Sequence, residues 1–457
     1  MDIVIGLFWF SLFAFLAICC PLAIRIYALV FLSPFQLFSG PFYDVYVPLA
    51  LILALSMIPR VSDLQRAWDW APSRAYIMLM LIGALALFWS PDAVSGMRYI
   101  FYGIPFLLIL MAMMRVSTEG SFHSQRAIGI FLLVAITEAV FVVIFRASPL
   151  LEESYLKSEI AGAFVSPNTL SALYDELPNN VLHPDKAGGF FVNGNVAGAF
   201  LGIALSLSIG VALAKRSLLH WIGAVIFFVG ILFTGSKAAI VLSFAVAFVF
   251  FGVSLKRKHL TGSLQLIGII LAVVFVLTIY LLNWQWILGM DPSLAWTFAL
   301  GSRAMIWYHA SEQFLSAPLF GLGFGGWALS YGESVAANLL GEQVFPPHNS
   351  LIQAWSDMGI LGLVVGGLLM WTIIHACLRG VRVSAKERYI TIGIMSAYLW
   401  TFVQGFGENY GFLGDFRMQP ILAVALGIVW RLIIKGGPSS DDTRSHRNIQ
   451  ESTVSAV

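Results

Sequence analysis

Apolar runs about as long as a bilayer is thick recur along this chain, and they limit its fold more than any other feature. A helix needs about 20 apolar residues to cross the hydrocarbon layer, with a range of about 17–25. The sequence predicts an all-α, polytopic membrane protein with about 12 transmembrane helices. The runs lie near 3–33, 43–59, 75–90, 97–114, 127–145, 190–214, 218–234, 237–255, 263–283, 351–378, 389–407 and 418–434. Because the first run contains Pro21 and Arg25, it can be one kinked span or two short helices, and thirteen is the alternative count.

Composition agrees with this assignment. Hydrophobic residues make up 59% of the 457 residues and charged residues only 11%. A soluble domain carries about 25% charged residues, so a single soluble core is excluded.

Lysine and arginine predict the orientation, because cytoplasmic loops of membrane proteins are enriched in both. The alternation of spans puts the basic clusters of the loops near 60–74, 115–126, 215–216, 256–258 and 379–388 on one side, which is then the cytoplasm. Both termini are predicted there as well, and 435–457 is expected to be a disordered tail. Seven cations remain on the outer side: Arg98, Arg146, Lys157, Lys186, Lys237, Arg303 and Arg417.

Two outer segments, 146–189 and 284–350, are long enough to divide the chain into parts. The predicted division is an N-terminal transmembrane bundle (1–145), a periplasmic loop (146–189), central transmembrane helices (190–283), a periplasmic loop with the candidate chemistry (284–350) and C-terminal transmembrane helices (351–434). Helices are expected at the outer membrane surface within the second loop. One begins at Ser302 as its N-cap, with Arg303, Trp307, Ala310 and Phe314 on one face. After the glycine-rich "GLGFGGW", which we interpret as a turn that lets the backbone approach another helix, a second is expected over "SYGESVAANLLGEQ".

His348 is the strongest single candidate for chemistry. It follows Pro346 and Pro347, and either Asn349 or Ser350 can cap the span that follows. The positive end of a helix dipole disfavours imidazolium, so we expect a neutral ring that can accept a proton from a hydroxyl. The plainer alternative is a histidine that bonds only to the loop backbone.

Several outer cations could together hold an anion. Arg303 offers a fork of donors that suits phosphate oxygens, and Lys237, Arg98 and Arg417 are predicted on the same side. The plainer interpretation of each is a side chain that extends to the membrane surface, and we favour it for Arg146, Lys157 and Lys186.

Asn193 and Asn195 stand at the outer start of another span. Each can cap the helix or bond a sugar, and the sequence does not decide between these roles. The acidic residues of the outer loops lack metal-ligand spacing, so metal catalysis is not predicted.

Four segments, "FFVNGNVAGAFL", "FTGSKAAIVL", "GSRAMIWYHASEQFLSAPLFGLGFGGW" and "PPHNSLIQAWSDMGILGLVVGGLL", resemble the O-antigen ligase and polymerase superfamily. The resemblance implies a C-type glycosyltransferase fold in the bacterial inner membrane, with the active site facing the periplasm. It also implies an undecaprenyl-pyrophosphate-linked glycan donor, a glycan or lipid A core acceptor, and no metal or other cofactor. Carried over to this sequence, His348 activates the acceptor hydroxyl and Arg303 binds pyrophosphate. Lys237 occupies a position where the family often has arginine. Asn195 and Asn349 complete the expected substrate contacts.

Three functions follow from this pattern. The first is a polymerase of an exopolysaccharide or O-antigen, and its close alternative is a ligase that passes the glycan to lipid A core. A lipid-linked sugar transporter is the alternative from another class. Transporters place polar groups near the middle of the membrane, whereas the charges here gather at the outer edge. The expected partners are these glycans and membrane lipids, not nucleic acid.

Overall fold

The protein is described from a computed structural model that covers residues 3–34, 53–165, 170, 185–255, 292–334, 346–385, 387–408 and 411–436. Every regular element within these residues is an α-helix or a 3₁₀ turn, so the predicted all-α class is confirmed for them. The helices are α1 Ile3–Cys19, α2 Leu22–Leu32, α3 Val61–Asp69, α4 Ala71–Ala86, α5 Ala93–Glu119, α6 Ser124–Ala147, α7 Pro149–Leu156, α8 Gly194–Lys215, α9 Leu218–Phe233, α10 Lys237–Leu255, α11 Pro292–Ser316, α12 Gly326–Gly332, α13 Ser350–Val383, α14 Arg388–Gly405 and α15 Gln419–Gly436. Two 3₁₀ turns occupy Glu159–Ala163 and Gly189–Phe191.

Four of these helices are long and apolar enough to cross a membrane: α5, α6, α8 and α13. Helices α2, α4, α9 and the first part of α10 are apolar but shorter. The run at 263–283 and most of the run at 43–59 lie outside the described residues, so the count of 12 spans stays a prediction.

The first apolar run is two helices, which decides the alternative that the sequence left open. Helix α1 ends at Cys19, and α2 begins at Leu22, directly after Pro21. The Arg25 side chain donates from Nε to the Cys20 carbonyl (2.8 Å) and from Nη1 to the Ser56 carbonyl (3.1 Å). The arginine therefore satisfies the Cys20 carbonyl at the break, where the helical ladder is interrupted, and joins the break to the segment that contains Ser56.

Helix α8 is the centre of the bundle. Its apolar stretch is entirely buried, and small residues let neighbouring helices approach it closely. A Cβ added at Gly202 would lie 2.0 Å from the Trp400 ring of α14, and one at Gly210 would lie 2.7 Å from the Tyr389 carbonyl oxygen. Glycine at these positions lets α8 pack closely against α14. This packing matters for the site because α8 begins there and α14 ends there.

Helix α13 is kinked at Gly359, whose backbone has φ +70° and ψ −164°. The kink interrupts the helical ladder, and the glycine-rich segment after α11 supplies the missing partners. Leu322 and Gly323 donate backbone N–H bonds to the Ser356 carbonyl (2.7 and 2.9 Å), and the Ile360 N–H lies 3.1 Å from the Pro318 carbonyl oxygen. The turn predicted at "GLGFGGW" thus approaches another helix, as expected. In lipid, irregular backbone is tolerated only where protein or water satisfies it.

One helix boundary predicted for the second outer loop is wrong. Helix α11 begins at Pro292, so Ser302 lies inside the helix and is not its N-cap. Proline at a first helical position has no N–H to leave unsatisfied, and the apolar residues that follow it continue the helix. The second predicted helix, over residues 330–343, lies mostly outside the described residues and stays a prediction. A short helix, α12, spans Gly326–Gly332. Residues 335–345 lie outside the described part of the chain.

Gly359→Ala is expected to lower the stability of the protein by about 2 kcal/mol or more, because only glycine adopts this backbone conformation without strain. The added Cβ would also lie 2.0 Å from the Leu319 carbonyl oxygen. Gly367→Ala is the matched control on the same helix, since a Cβ there meets nothing within 4 Å. Thermal unfolding of the purified variants in detergent measures the difference. Equal melting temperatures for the two variants would contradict this account of the kink.

Candidate active site

The loop before α13 is held from three directions. Asn349 caps the helix, with Oδ1 accepting from the N–H groups of Leu351 (2.9 Å) and Ile352 (3.3 Å). The Trp307 indole of α11 donates to the Pro347 carbonyl (3.1 Å). The Ser350 hydroxyl lies 3.0 Å from the Gly405 carbonyl oxygen at the end of α14. His348 is therefore carried by a fixed backbone.

His348 itself has φ +47°, a left-handed conformation that few residues other than glycine adopt. Its side chain is 20% exposed. Burial, assisted by the nearby Arg303 guanidinium, lowers the pKa of His348 to about 4. The imidazole is consequently neutral at pH 7, as predicted. The causes are burial and a nearby cation, whereas the sequence analysis attributes the neutral ring to the helix dipole.

A carboxylate that the sequence analysis did not select lies at the centre of the site. Glu408 Oε1 accepts from Arg303 Nη2 (3.1 Å) and from Asn195 Nδ2 (2.8 Å). Glu408 Oε2 lies 3.8 Å from His348 Nδ1, which is beyond hydrogen-bond length. Burial raises the pKa of Glu408, and the charges of Arg303 and Lys186 oppose this increase. One carboxylate therefore brings Arg303, Asn195 and His348 together.

The packing of α8 against α14 explains why Asn195 meets Glu408. The Gln404 side chain donates from Nε2 to the Asn195 carbonyl (2.8 Å) and accepts from the buried Trp400 indole (2.7 Å). Asn193 caps α8 by accepting from the Asn195 N–H (2.8 Å). The two asparagines thus have different roles: Asn193 caps the start of α8, and Asn195 orients the carboxylate.

Three cations share this part of the molecule. Burial lowers the pKa of Lys186, Glu408 opposes that decrease, and the charges of Lys237 and Arg303 add to it. The sequence favours a solvated side chain for Lys186. In the structure, Lys186 is half-buried and lies close enough to the cluster for the charges to interact. Gly235 makes this approach possible: its φ is +68°, and a Cβ there would lie 2.0 Å from the Asp185 carbonyl oxygen.

The predicted face of α11 points towards the same region. Arg303 bonds Glu408 and Trp307 bonds Pro347, while Phe314 packs near Trp355 with ring centroids 5.3 Å apart. Side chains three and four residues apart share a helix face, so one helix supplies the guanidinium and supports the histidine loop.

Arg417 and Arg98, predicted to join the anion site, have other surroundings. Arg417 is buried and donates from Nε and Nη2 to the two carboxylate oxygens of Asp415 (2.7 and 2.9 Å). Its guanidinium also lies 4.4 Å from the centre of the Phe191 ring. Arg98 is exposed near the start of α5, where its charge acts on Asp92. No described contact joins either arginine to Glu408.

Within the described ranges, no group of three or more histidine, cysteine, aspartate or glutamate side chains is arranged to hold a metal ion.

Comparison with known protein families gives a partial match. A family model described as O-antigen ligase matches residues 222–367, about a third of the chain. The predicted resemblance to the O-antigen ligase and polymerase superfamily is confirmed by this match, and the apolar helices fit a multi-pass membrane protein. No curated protein matches the chain.

The matched residues include Lys237, Arg303 and His348, whereas Lys186, Asn195 and Glu408 lie outside them. Only the folded chain brings the two sets together. A sequence signal for Glu408 does exist: it is an acidic residue directly after an apolar run, on the predicted outer side where cations gather.

Glu408→Ala is expected to destabilise the protein by about 1–3 kcal/mol, because Arg303 and Asn195 would lose a common acceptor in a largely buried place. Glu333→Ala is the control, since Glu333 is exposed and lies outside the cluster. Thermal unfolding in detergent compares the two. A melting temperature for Glu408→Ala equal to that of Glu333→Ala would show that the carboxylate does not hold the cluster.

Proposed function

We propose that this protein is a glycosyltransferase that polymerises undecaprenyl-pyrophosphate-linked glycan units on the periplasmic side of the bacterial inner membrane. The observation that carries the proposal is the arrangement around one buried carboxylate, Glu408: Arg303 bonds it, and His348 lies 3.8 Å from it. Both of these residues lie in the segment that matches the O-antigen ligase family model. Diphosphate is a good leaving group, so the protein has two tasks: to neutralise its charge and to activate an attacking hydroxyl.

His348 is the proposed general base. A proton on Nδ1 faces Glu408 Oε2, and this carboxylate favours the tautomer in which Nε2 is unprotonated. Nε2 then accepts the proton of the acceptor hydroxyl as that oxygen attacks the anomeric carbon. Glu408 acts through His348 and is a positioning residue in this scheme.

Arg303, Lys186 and Lys237 are the proposed ligands of the pyrophosphate. Their positive charges lie close enough to repel one another, and an anion bound between the three side chains would reduce this repulsion. Because these side chains neutralise the leaving group, the reaction is proposed to be metal-independent. Attack on the face opposite the pyrophosphate inverts the anomeric configuration.

A ligase that transfers the glycan to lipid A core is the second candidate, and the description of the matching family model favours it. Glycan analysis of a deletion strain separates the two functions. Loss of a polymerase leaves single repeat units, whereas loss of a ligase leaves long chains that are not attached to lipid A. If neither product changes, both proposals fail.

His348→Asn is expected to lower turnover by about 10²–10⁴-fold, the contribution of a positioned general base. Asparagine suits this test because it tolerates the left-handed backbone that His348 adopts. The assay uses purified protein and lipid-linked glycan isolated from the producing strain. His375→Asn is the control, since His375 is exposed on α13 away from the cluster. Turnover near that of the parent protein would remove His348 from the mechanism.

The pH profile provides an independent test of the base. Only neutral His348 accepts a proton, so its contribution is complete well above the pKa of about 4 and is lost as the pH falls through that value. If the base had the pKa of an ordinary histidine, the rate would fall to half its maximum near pH 6.5. Since burial also raises the pKa of Glu408, the acidic limb of the profile is measured in Glu408→Gln, where that group no longer titrates. An acidic midpoint near 6.5 in this variant would contradict a buried, neutral His348.

A further inference from the structure

A cavity of about 550 Å³ lies beside the cluster of Glu408, Arg303 and His348. The proposed base and pyrophosphate ligands do not line it. Its volume falls within the range of about 300–1,000 Å³ typical of small-molecule sites. Tyr99 and Tyr102 of α5 line one side, and Gln353 and Asp357 of α13 line another. The segment 411–416 and Gln419 contribute to the rest of its wall.

The cavity and the cluster share two loops. Pro346 and Pro347 belong to the cavity wall, while the next residue, His348, lies against Glu408. Gly411 also lines the cavity, and its carbonyl oxygen lies 3.1 Å from the Ser350 hydroxyl in the same connection that holds the histidine loop. A molecule in the cavity would therefore lie next to the proposed base.

Aromatic rings give the cavity flat apolar surfaces. Tyr102 stacks on Phe416 with ring centroids 5.4 Å apart, and Tyr99 packs against Phe324 at 5.4 Å. Trp327 contributes a further ring to the wall. Rings with one apolar face and a polar edge suit ligands that are themselves apolar on one face and hydroxylated at the rim, as sugars are.

Two buried side chains in the cavity wall can accept further hydrogen bonds. Gln419 is 9% exposed, and its Oε1 has no hydrogen-bond partner in the part of the chain that the structure describes. Asp357 is 5% exposed and accepts from Gln353 Nε2 at 2.6 Å, which leaves acceptor capacity on a carboxylate. A buried acceptor without a partner is costly, and a ligand hydroxyl would satisfy it.

Charge separates this cavity from the cation cluster. Among the described residues that line it there is no lysine or arginine. Two aspartates are present: Arg417 pairs with Asp415, whereas the described bond to Asp357 comes from the neutral Gln353 side chain. An anionic diphosphate is therefore disfavoured here and favoured at Arg303, Lys186 and Lys237.

We propose that the cavity binds a neutral or amine-bearing sugar unit of the acceptor glycan and presents its hydroxyl to His348. This inference rests on the proposed glycosyltransferase function, since only that function gives the sugar a hydroxyl to be activated. Aromatic faces hold the ring, Gln419 and Asp357 accept bonds from its hydroxyl groups, and the diphosphate of the donor occupies the cation cluster.

Equilibrium binding of two radiolabelled probes tests the proposal on the purified full-length protein. One probe is undecaprenyl diphosphate without a sugar, and the other is the oligosaccharide released by mild acid from the lipid-linked glycan of the producing strain. Tyr102→Ala and Gln419→Leu are each expected to weaken oligosaccharide binding at least tenfold, while undecaprenyl diphosphate binding stays within twofold of the parent protein.

Tyr308→Ala is the matched control, because Tyr308 is 67% exposed on α11 and does not line the cavity. It should leave both affinities unchanged. Tyr102→Phe keeps the ring and should retain oligosaccharide binding, which separates loss of the ring from misfolding. Unchanged oligosaccharide affinity in both cavity variants would overturn the proposal. Weaker binding of undecaprenyl diphosphate instead would assign the cavity to the isoprenoid chain and would overturn it as well.

The two proposals can fail separately in this experiment. If the proposed function is wrong but the cavity is a sugar site, the cavity variants still lose oligosaccharide affinity while Arg303→Lys leaves undecaprenyl diphosphate binding intact. If only the cavity assignment is wrong, Arg303→Lys weakens undecaprenyl diphosphate binding and the cavity variants change nothing.

Discussion

Burying the Glu408 carboxylate costs free energy unless donors and cations surround it, and the start of α8, the middle of α11 and the end of α14 are arranged to do this. Asn195 comes from α8 and Arg303 from α11, while Glu408 itself follows α14. Burial still outweighs the attraction of the neighbouring cations, because the pKa of the carboxyl remains raised. A group held at such cost is typical of functional sites, where geometry takes precedence over stability.

The same requirement, that no backbone or side-chain polar group be left unsatisfied in an apolar surrounding, also shapes α13. The kink at Gly359 opens α13, and the glycine-rich segment after α11 closes its exposed hydrogen bonds. Because α13 begins at the histidine loop and carries Gln353 and Asp357 ahead of the kink, this helix connects the Glu408 cluster with the adjoining cavity. One helix thus takes part in both proposed substrate positions.

Sequence patterns that depend on neighbouring residues predicted several helices and the loop before α13. Apolar runs indicated most of the observed helices, and proline next to histidine marked the loop that begins α13. Asn349 was foreseen as a possible cap because capping depends on residues only two or three positions away. Arg303 and Lys237 could be selected from charge on the expected outer side.

Contacts between distant parts of the chain were not predictable in this way. Asn195 and Glu408 are 213 positions apart, and no periodicity links them. Lys186 looked like an ordinary loop lysine until packing at Gly235 placed its segment beside Lys237. Arg417 was assigned to the anion site from charge alone, whereas its partner Asp415 is two residues away and engages both ends of its fork.

The central claim is that one buried carboxylate places a guanidinium and a neutral imidazole around a single reaction centre. A structure of the protein bound to undecaprenyl diphosphate by electron cryo-microscopy tests it most directly. The account predicts diphosphate density in contact with Arg303, Lys186 and Lys237, with His348 facing the space where the sugar would be attached. Diphosphate bound apart from these cations, or a His348 ring turned away from it, would contradict the account.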